Sequence, residues 1–350
     1  MFTALREFER PLGGEMALPE EVPAFCRGVL AQLDYVFVGC PKAVPKMVVA
    51  GGVLPDGTPV SGAGASSEDA LVRLAGEAAE QLGLRQAVLR LPCDRDIPAL
   101  DLGGSEVVQV AREVLPLSSS ETAGFSEGLA AHTDWETAVL HGALELFERD
   151  AAAHWWGGAT QATLLTEADA QVLEALGARP ERQTRVLDVT CDTGVPVVVA
   201  VSFDLSGGEF CFGAAAGASL EGALGSALRE LGAAEFGRVL ERSRGGESDD
   251  AGSRRSVDTL TLQLLETQMV GQSTPLRTQV LARNAIARGE WPSLIQENGI
   301  GIVDLGCVGG QFRVIKAVSA ALQPGRETHV CPRFQAALLG TERRTQGSLY

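Results

Sequence analysis

The sequence predicts a mixed α/β fold in which β-sheets pack against helices and one unit recurs inside the chain. Three observations lead there. Short β-branched runs such as VPVVVAVSFD alternate with longer stretches whose apolar residues recur at the helical period. The composition, 45% hydrophobic and 21% charged over 350 residues, supplies a sizeable core for one large or two smaller domains. Three times a Gly/Ala-rich segment runs into a capped helix with an acid near its start and another farther along: Glu68 with Glu77, Glu136 with Glu145, Glu221 with Glu230.

In chain order, residues 1–45 read as an irregular start with one helix around Glu21–Leu33 and then loops. A strand is expected over Lys46–Leu54, closed by the turn PDGT. The segment 61–84 begins with small residues. It then offers Ser66 or Ser67 as N-cap and an apolar period at Ala70, Leu71, Leu74 and Ala78, which makes it the first repeated helix. Short strands and loops are expected over 86–125, and the second repeated helix within 126–156, capped by Thr133 or Asp134. Residues 157–184 suit a connecting segment with a short helix. The strands TRVLDVT and VPVVVAVSFD flank the turn CDTG, and FCFGAAAGA leads to the third helix, capped by Ser219.

The polar stretch 243–256 reads as a loop or disordered insert. Helices follow at 257–269 and around 276–288, then a strand at 300–305, the turn GCVGGQ and the strand FRVIKAVSA. The division is an N-terminal extension (1–45), a main domain (46–335) holding the insert, and a polar tail (336–350).

Charge and cysteine usage exclude several functions. A net charge of −16 repels phosphate backbones, so no nucleic-acid partner is expected; the plainer meaning of the charge is solubility. The seven cysteines contain no C-x-x-C and the four histidines form no zinc-type pair, which disfavours a structural zinc and suits reduced thiols in the cytoplasm. The N-terminus lacks the basic and apolar regions of a signal peptide, and no apolar run reaches the length of about 18 residues needed for a membrane span.

The candidate chemistry lies in the acids. Glu77/Glu80 and Glu145/Glu148 are each spaced i, i+3, on one helix face, where like charges repel and need water or a cation. Either pair alone reads first as a solvated helix surface. If the two helices pack side by side, four carboxylates converge, and Mg²⁺, which takes oxygen ligands and bridges carboxylates to phosphates, would resolve the repulsion. Arg149, beside Glu148, could then hold a carboxylate or phosphate through two hydrogen bonds. No GxxxxGK[ST] or GxSxG is present; GAGASS at 62–67 is either a weak anion-binding approach or a tight lead into a helix. Trp155 and Trp156 read as core anchors, His154 as structural, and neither Cys191 nor Cys307 has a local histidine arrangement for nucleophilic catalysis.

The stretch SEGLAAHTDWETAVLHGALELFERDAAAHWW, with SGAGASSEDALVRLAGEAAE upstream and the segments VLDVTCDTGVPVVVAVSFD, GAAAGASLEGALGSALRELGAAE and FRVIKAVSAALQP downstream, resembles the YcaO family over roughly residues 46–335. The resemblance implies the YcaO-type α/β fold, ATP and Mg²⁺ as cofactors, and cyclodehydratase chemistry on a ribosomally made precursor peptide. In that chemistry a backbone amide oxygen is phosphorylated, a Cys, Ser or Thr side chain attacks, and phosphate leaves to give an azoline of the thiazole/oxazole type; other members make thioamides or amidines. By the same resemblance Glu77, Glu80, Glu145 and Glu148 are metal ligands, and Ser61, Gly62, Gly64, Arg149 and Glu230 bind the nucleotide. No residue is assigned as catalytic. Implied partners are the precursor peptide, a leader-binding protein and a flavin-dependent dehydrogenase, with a homodimer in keeping with the chain's size.

The sequence departs from the family pattern at defined points. Ala63 stands for a lysine, Gln81 for an arginine, His132-Thr133 for Gly-Asn, and Ala233 for a glutamine, and a proline-rich C-terminus is missing. The acids are better kept than the phosphate contacts. Two readings follow: an ATP-dependent peptide-modifying enzyme, or a scaffold subunit of a modification complex that has lost ATP turnover.

Overall fold

A computed structural model describes residues 2–9, 18, 22–90, 97–101, 107–110, 126–243 and 270–322. The helix expected at 257–269, the polar tail and all but Ser243 of the insert lie outside the described residues.

Three sheets carry the chain. The first runs in the order β1 (Phe2–Glu9), β2 (Tyr35–Pro41), β3 (Val48–Val53) and β4 (Pro59–Gly64), all antiparallel. A short helix, α1 (Ala24–Leu30), packs against the long helix that follows β4. β1 and β2 are strands where loops were expected. Arg6, Glu7 and Glu9 make β1 look polar, as an edge strand does, and its partner lies some thirty residues away, beyond any local pattern.

The second sheet has the order β11 (Cys211–Ala216), β10 (Val197–Asp204), β9 (Arg182–Asp188), β8 (Ala162–Thr166) and β12 (Val270–Pro275), with β12 parallel to β8. The third has the order β6 (Val107–Val110), β5 (Ile97–Asp101), β13 (Gly301–Val308), β14 (Phe312–Val318) and β7 (Leu129–His132). The expected strands at 46–54, 184–190, 195–204, 300–305 and 312–320 are thus β3, β9, β10, β13 and β14. The connecting segment after residue 157 holds β8 as well as its short helix, α4 (Asp169–Leu176). Around residues 276–297 stand α6 (Leu276–Ala282) and α7 (Trp291–Glu297).

Three long helices cover the sheets: α2 (Ser67–Arg90), α3 (Trp135–Trp156) and α5 (Leu220–Ser243). Their caps follow the sequence. Ser66 Oγ accepts from Asp69 N–H at 3.1 Å, Asp134 Oδ2 from Thr137 N–H at 2.8 Å, and Ser219 Oγ from Gly222 N–H at 3.2 Å. Glu68, Glu136 and Glu221, the early acids of the echo, sit in the first turns, where they oppose the positive helix end.

The repeat is a three-dimensional one. Each helix lies on an antiparallel strand pair: α2 on β3–β4, α3 on β14–β7, α5 on β10–β11. The Gly/Ala-rich segments that lead into two of the helices are themselves strands, β4 and β11. A Cβ on Gly62 would lie 2.4 Å from the Leu74 backbone nitrogen, and one on Gly213 would lie 2.2 Å from that of Leu231. Glycine there lets a helix approach a strand more closely than any side chain permits.

β10 is buried on both faces, which is why it reads as an uninterrupted valine run. Val198 and Ala200 pack toward Ala227 and Leu231 of α5, while Val197, Val199 and Val201 pack with Ala151 and Trp155 of α3. Trp155 is fully buried, so the tryptophan end of α3 is the anchor its sequence suggests. No helix among the described residues is long and apolar enough to cross a membrane.

Candidate active site

The three helices converge on one cavity of about 710 Å³. Four equivalent positions on each helix line it, in the same register: Arg73, Gly76, Glu77 and Glu80 from α2; His141, Leu144, Glu145 and Glu148 from α3; Ser226, Arg229, Glu230 and Ala233 from α5. The spacing −4, −1, 0 and +3 about the acid is one helix face. Arg149 joins them, and the strand ends supply Ser61, Gly62 and Ala63 from β4, Leu129–His132 from β7 and Ala215 and Ala216 from β11. Of the nine residues expected to bind metal or nucleotide, eight face this cavity. Gly64 lines instead a neighbouring cavity of about 820 Å³ that shares Asp69 and Arg229 with the first.

Each acid is held by its surroundings. Glu80 Oε1 accepts from Ala131 N–H of β7 at 3.2 Å, so the third sheet fixes a carboxylate of α2. Glu145 accepts from Gly128 N–H through Oε2 and from Arg149 Nη2 through Oε1, both at 3.1 Å. Arg149 Nη1 is also 3.1 Å from Glu148 Oε1. Glu230 Oε2 accepts from Ala214 N–H of β11 at 3.3 Å, and Gln81 hydrogen-bonds Glu77.

The electrostatics are those of crowded acids. Burial, then Glu145, raises the pKa of Glu77; burial, then Glu77 and Glu145, raises that of Glu80 well above its usual range. Burial raises Glu145 against the opposing pull of Arg149 and Lys316. Glu230 is open to the cavity but surrounded by protein, so water reaches its carboxyl without solvating it well, and its pKa rises to about 7.

Sequence reasoning missed several cavity residues. Arg73, His141 and Ser226 each stand four residues before the acid of their helix, a position the echo itself could have pointed to. His132 accepts from Asp134 N–H through Nδ1 at 3.0 Å, and its ring meets that of His141 edge-on with centroids 5.8 Å apart. Lys316, buried on β14, donates to the Glu127 carbonyl at 2.6 Å; burial depresses its pKa to about 8. Nothing local marks the His132–His141 contact or the burial of Lys316, because these contacts cross between β7, α3 and β14.

Carboxylates outnumber guanidiniums along the cavity wall, so the site is short of positive charge. Among the described residues no three His, Cys, Asp or Glu side chains are grouped so that together they could hold a metal ion. A hard divalent cation such as Mg²⁺ does not need such a group, because it keeps waters and takes only one or two carboxylates beside ligand phosphates. The four carboxylates are the oxygen ligands that ion takes; His132 and His141 also line the cavity, and no thiolate does.

Fold and site together define a protein that gathers carboxylates and arginines from three equivalent strand-pair-and-helix units around one polar cavity. The family model described as YcaO cyclodehydratase, ATP- and Mg²⁺-binding, matches residues 94–285, and the chain belongs to that family. No curated protein matches the sequence.

Among solved structures, a heterocyclase in complex with substrate and cofactor superimposes with a TM-score of 0.62 at 17% identity, over 89% of this chain and 52% of that one. This chain therefore spans about half the length of that heterocyclase. The Escherichia coli microcin synthetase McbBCD complex matches with a TM-score of 0.59 at 16% identity, over 83% of this chain and 88% of that one. The YcaO protein of Methanopyrus kandleri, bound with AMPPCP and Mg²⁺, matches with a TM-score of 0.59 at 19% identity, over 81% and 84%. At these identities the likeness is one of fold.

Proposed function

We propose that this chain is an ATP- and Mg²⁺-dependent cyclodehydratase that acts on a ribosomally made precursor peptide. The observation that carries the reading is the cavity itself: one register of three helices brings an excess of oxygen ligands onto a single wall. Glu77, Glu80, Glu145 and Glu148 would hold Mg²⁺, with Arg149 fixing the last two. Ser61, Gly62, Gly64, Arg149 and Glu230 would contact the nucleotide. When bound, ATP supplies the phosphoryl group that makes an amide oxygen a leaving group. The chain's own residues position that group and offset charge around it. A Cys, Ser or Thr of the substrate then closes the ring, and the peptide loses one water for each residue converted. The reading includes a leader-binding partner and a flavin-dependent dehydrogenase in the same complex, a homodimer, and the cytoplasm as location.

Ala63 and Ala233 place methyl groups on the cavity wall, which favours a second reading: a scaffold subunit without ATP turnover. One experiment separates the two. The protein is incubated with Mg-ATP, its precursor peptide and partner, and the peptide is weighed. Loss of water mass that disappears in Glu148→Gln supports catalysis, because Gln keeps the shape and removes the charge. An unchanged peptide and no calorimetric ATP binding, with the partner complex intact, supports the scaffold.

A further inference from the structure

At the position just before the first cavity acid, α2 has Gly76 and α3 has Leu144, but α5 has Arg229. Four residues before that acid, α3 has His141 and α5 has Ser226, but α2 has Arg73. Two helices thus each place one guanidinium on the shared wall at positions where their counterparts are small, apolar or neutral. Both line the same cavity, and burial first, then the charge of Arg73, lowers the pKa of Arg229. Their charge is only partly met. Arg73 Nε is 2.9 Å from Asp69 Oδ1, while Arg229 Nη2 donates to the neutral Ser226 Oγ at 2.8 Å.

Arg229 also lines the larger second cavity, as does Asp69, the carboxylate partner of Arg73, so Arg229 stands at the junction of the two with Arg73 on the side of the first. The acids of α2 and α3 line the same cavity, and they call for a metal. A cavity that offers carboxylates to a cation and a paired guanidinium fork to an anion suits a metal-bound polyphosphate, whose oxygens match the arginine geometry. β4 adds no charge here, because Ala63 lines the cavity with a methyl group.

We propose that Arg73 and Arg229 grip the polyphosphate of the nucleotide at the junction of the two cavities and supply the positive charge that position 63 lacks. The inference rests on the ATP reading given above. It names binding residues outside the glycine-rich strand and outside the acid pairs.

The test is calorimetric titration of the intact protein with Mg-ATP and, separately, with Mg-tripolyphosphate. Arg229→Gln is expected to weaken both by roughly tenfold, the usual scale of a charge-assisted hydrogen bond in a partly closed site. Arg73→Gln, whose side chain is 44% exposed, is expected to weaken both by roughly threefold and to keep the wild-type melting temperature, since exposed ion pairs contribute little. Adding Ala63→Lys to Arg229→Gln should restore most of the affinity, which a purely structural role for Arg229 would not allow. If the wild type binds Mg-ATP and both Gln variants bind it equally well, the inference is overturned and the cyclodehydratase reading stands. If tripolyphosphate binds in an arginine-dependent way and Mg-ATP does not, the anion grip survives and the ATP reading falls. If neither ligand binds the wild type, both fall.

Discussion

Glu145 and Glu148 of α3 and Glu77 and Glu80 of α2 occupy the same two turns of equivalent helices and face the same cavity, yet they are neutralised differently. Arg149 lies 3.1 Å from a carboxylate oxygen of each α3 acid. The residue at the corresponding place on α2 is Gln81, which offers Glu77 a hydrogen bond and no charge. Glu80 has a peptide N–H and the repulsion of Glu77 and Glu145. The α3 pair carries its own counter-charge; the α2 pair must take a proton or a metal. We therefore expect the α3 pair to govern folding and the α2 pair to govern ligand binding.

The largest effect should come from breaking the compensated side. Arg149→Gln leaves Glu148, 8% exposed, without that guanidinium, and breaking such a buried pair from one side costs about 3 kcal/mol. Urea unfolding measures it. The mirrored change, Gln81→Ala, removes only a neutral hydrogen bond and should cost about 1 kcal/mol. Equal losses would mean that Arg149 does not set the two pairs apart.

Next in size is a change that separates the pairs. Gly62→Ala puts a methyl group into the backbone of α2, 2.4 Å from Leu74 N and 2.5 Å from Ala70 O. The helix must lift from β4, at a cost of about 2 kcal/mol, as overpacking does. The shift would carry Glu77 and Glu80 away from α3. A crystal structure of the variant should show the cavity widened at α2, and calorimetry should show weaker Mg²⁺ binding.

Much of this was legible in the sequence, and the reasons are specific. The i, i+3 spacing of Glu77/Glu80 and Glu145/Glu148 fixes a shared face on any helix, and the threefold echo fixes which helices to compare. The caps at Ser66, Asp134 and Ser219 follow from side-chain chemistry one turn long. What stayed hidden depends on partners far apart in the chain. The β1–β2 pairing was one such case. Ala131 holding Glu80 crosses from the third sheet to α2. The strands containing Gly62 and Gly213 read only as small-residue leads into helices because glycine signals flexibility in sequence, whereas here it permits contact. Arg73 and Arg229 look like ordinary surface charges until α2 and α5 meet.

A further variant sharpens the uncompensated side. Glu80→Gln replaces a carboxyl that burial and two neighbouring acids already push toward its neutral form. It should stabilise the ligand-free protein by about 1 kcal/mol, a rise of roughly 2 °C in melting temperature for a chain of this size. The same change should weaken Mg²⁺ binding, because a neutral amide is a poor substitute for a carboxylate at a hard cation. A variant that is both less stable and unaltered in Mg²⁺ binding would reverse the assignment of roles.

The smallest effect is a pH dependence carried by Glu230. Its pKa in the folded protein is raised from 4.5 to about 7, by burial first, with Glu145 adding to the rise and Arg149, the Ala214 N–H and Arg229 opposing it. Below about pH 4.5 the folded and unfolded chains both hold this proton. Between there and pH 7 the unfolded chain has lost it while the folded chain keeps it, so stability falls as pH rises through that window. His141 acts in the opposite sense, because burial, His132 and Arg73 lower its pKa; its contribution grows with pH until the ordinary imidazole value of 6.5 is passed. Comparing the wild type with Glu230→Gln cancels the histidine. The melting temperature of the wild type should fall relative to the variant between pH 5 and 7.5, by roughly 1–2 °C. Saturating Mg-ATP should reduce the difference, since positive charge brought by the metal, close to Arg149, takes over from the proton. A difference that persists unchanged with ligand would place Glu230 outside the reach of the bound charge.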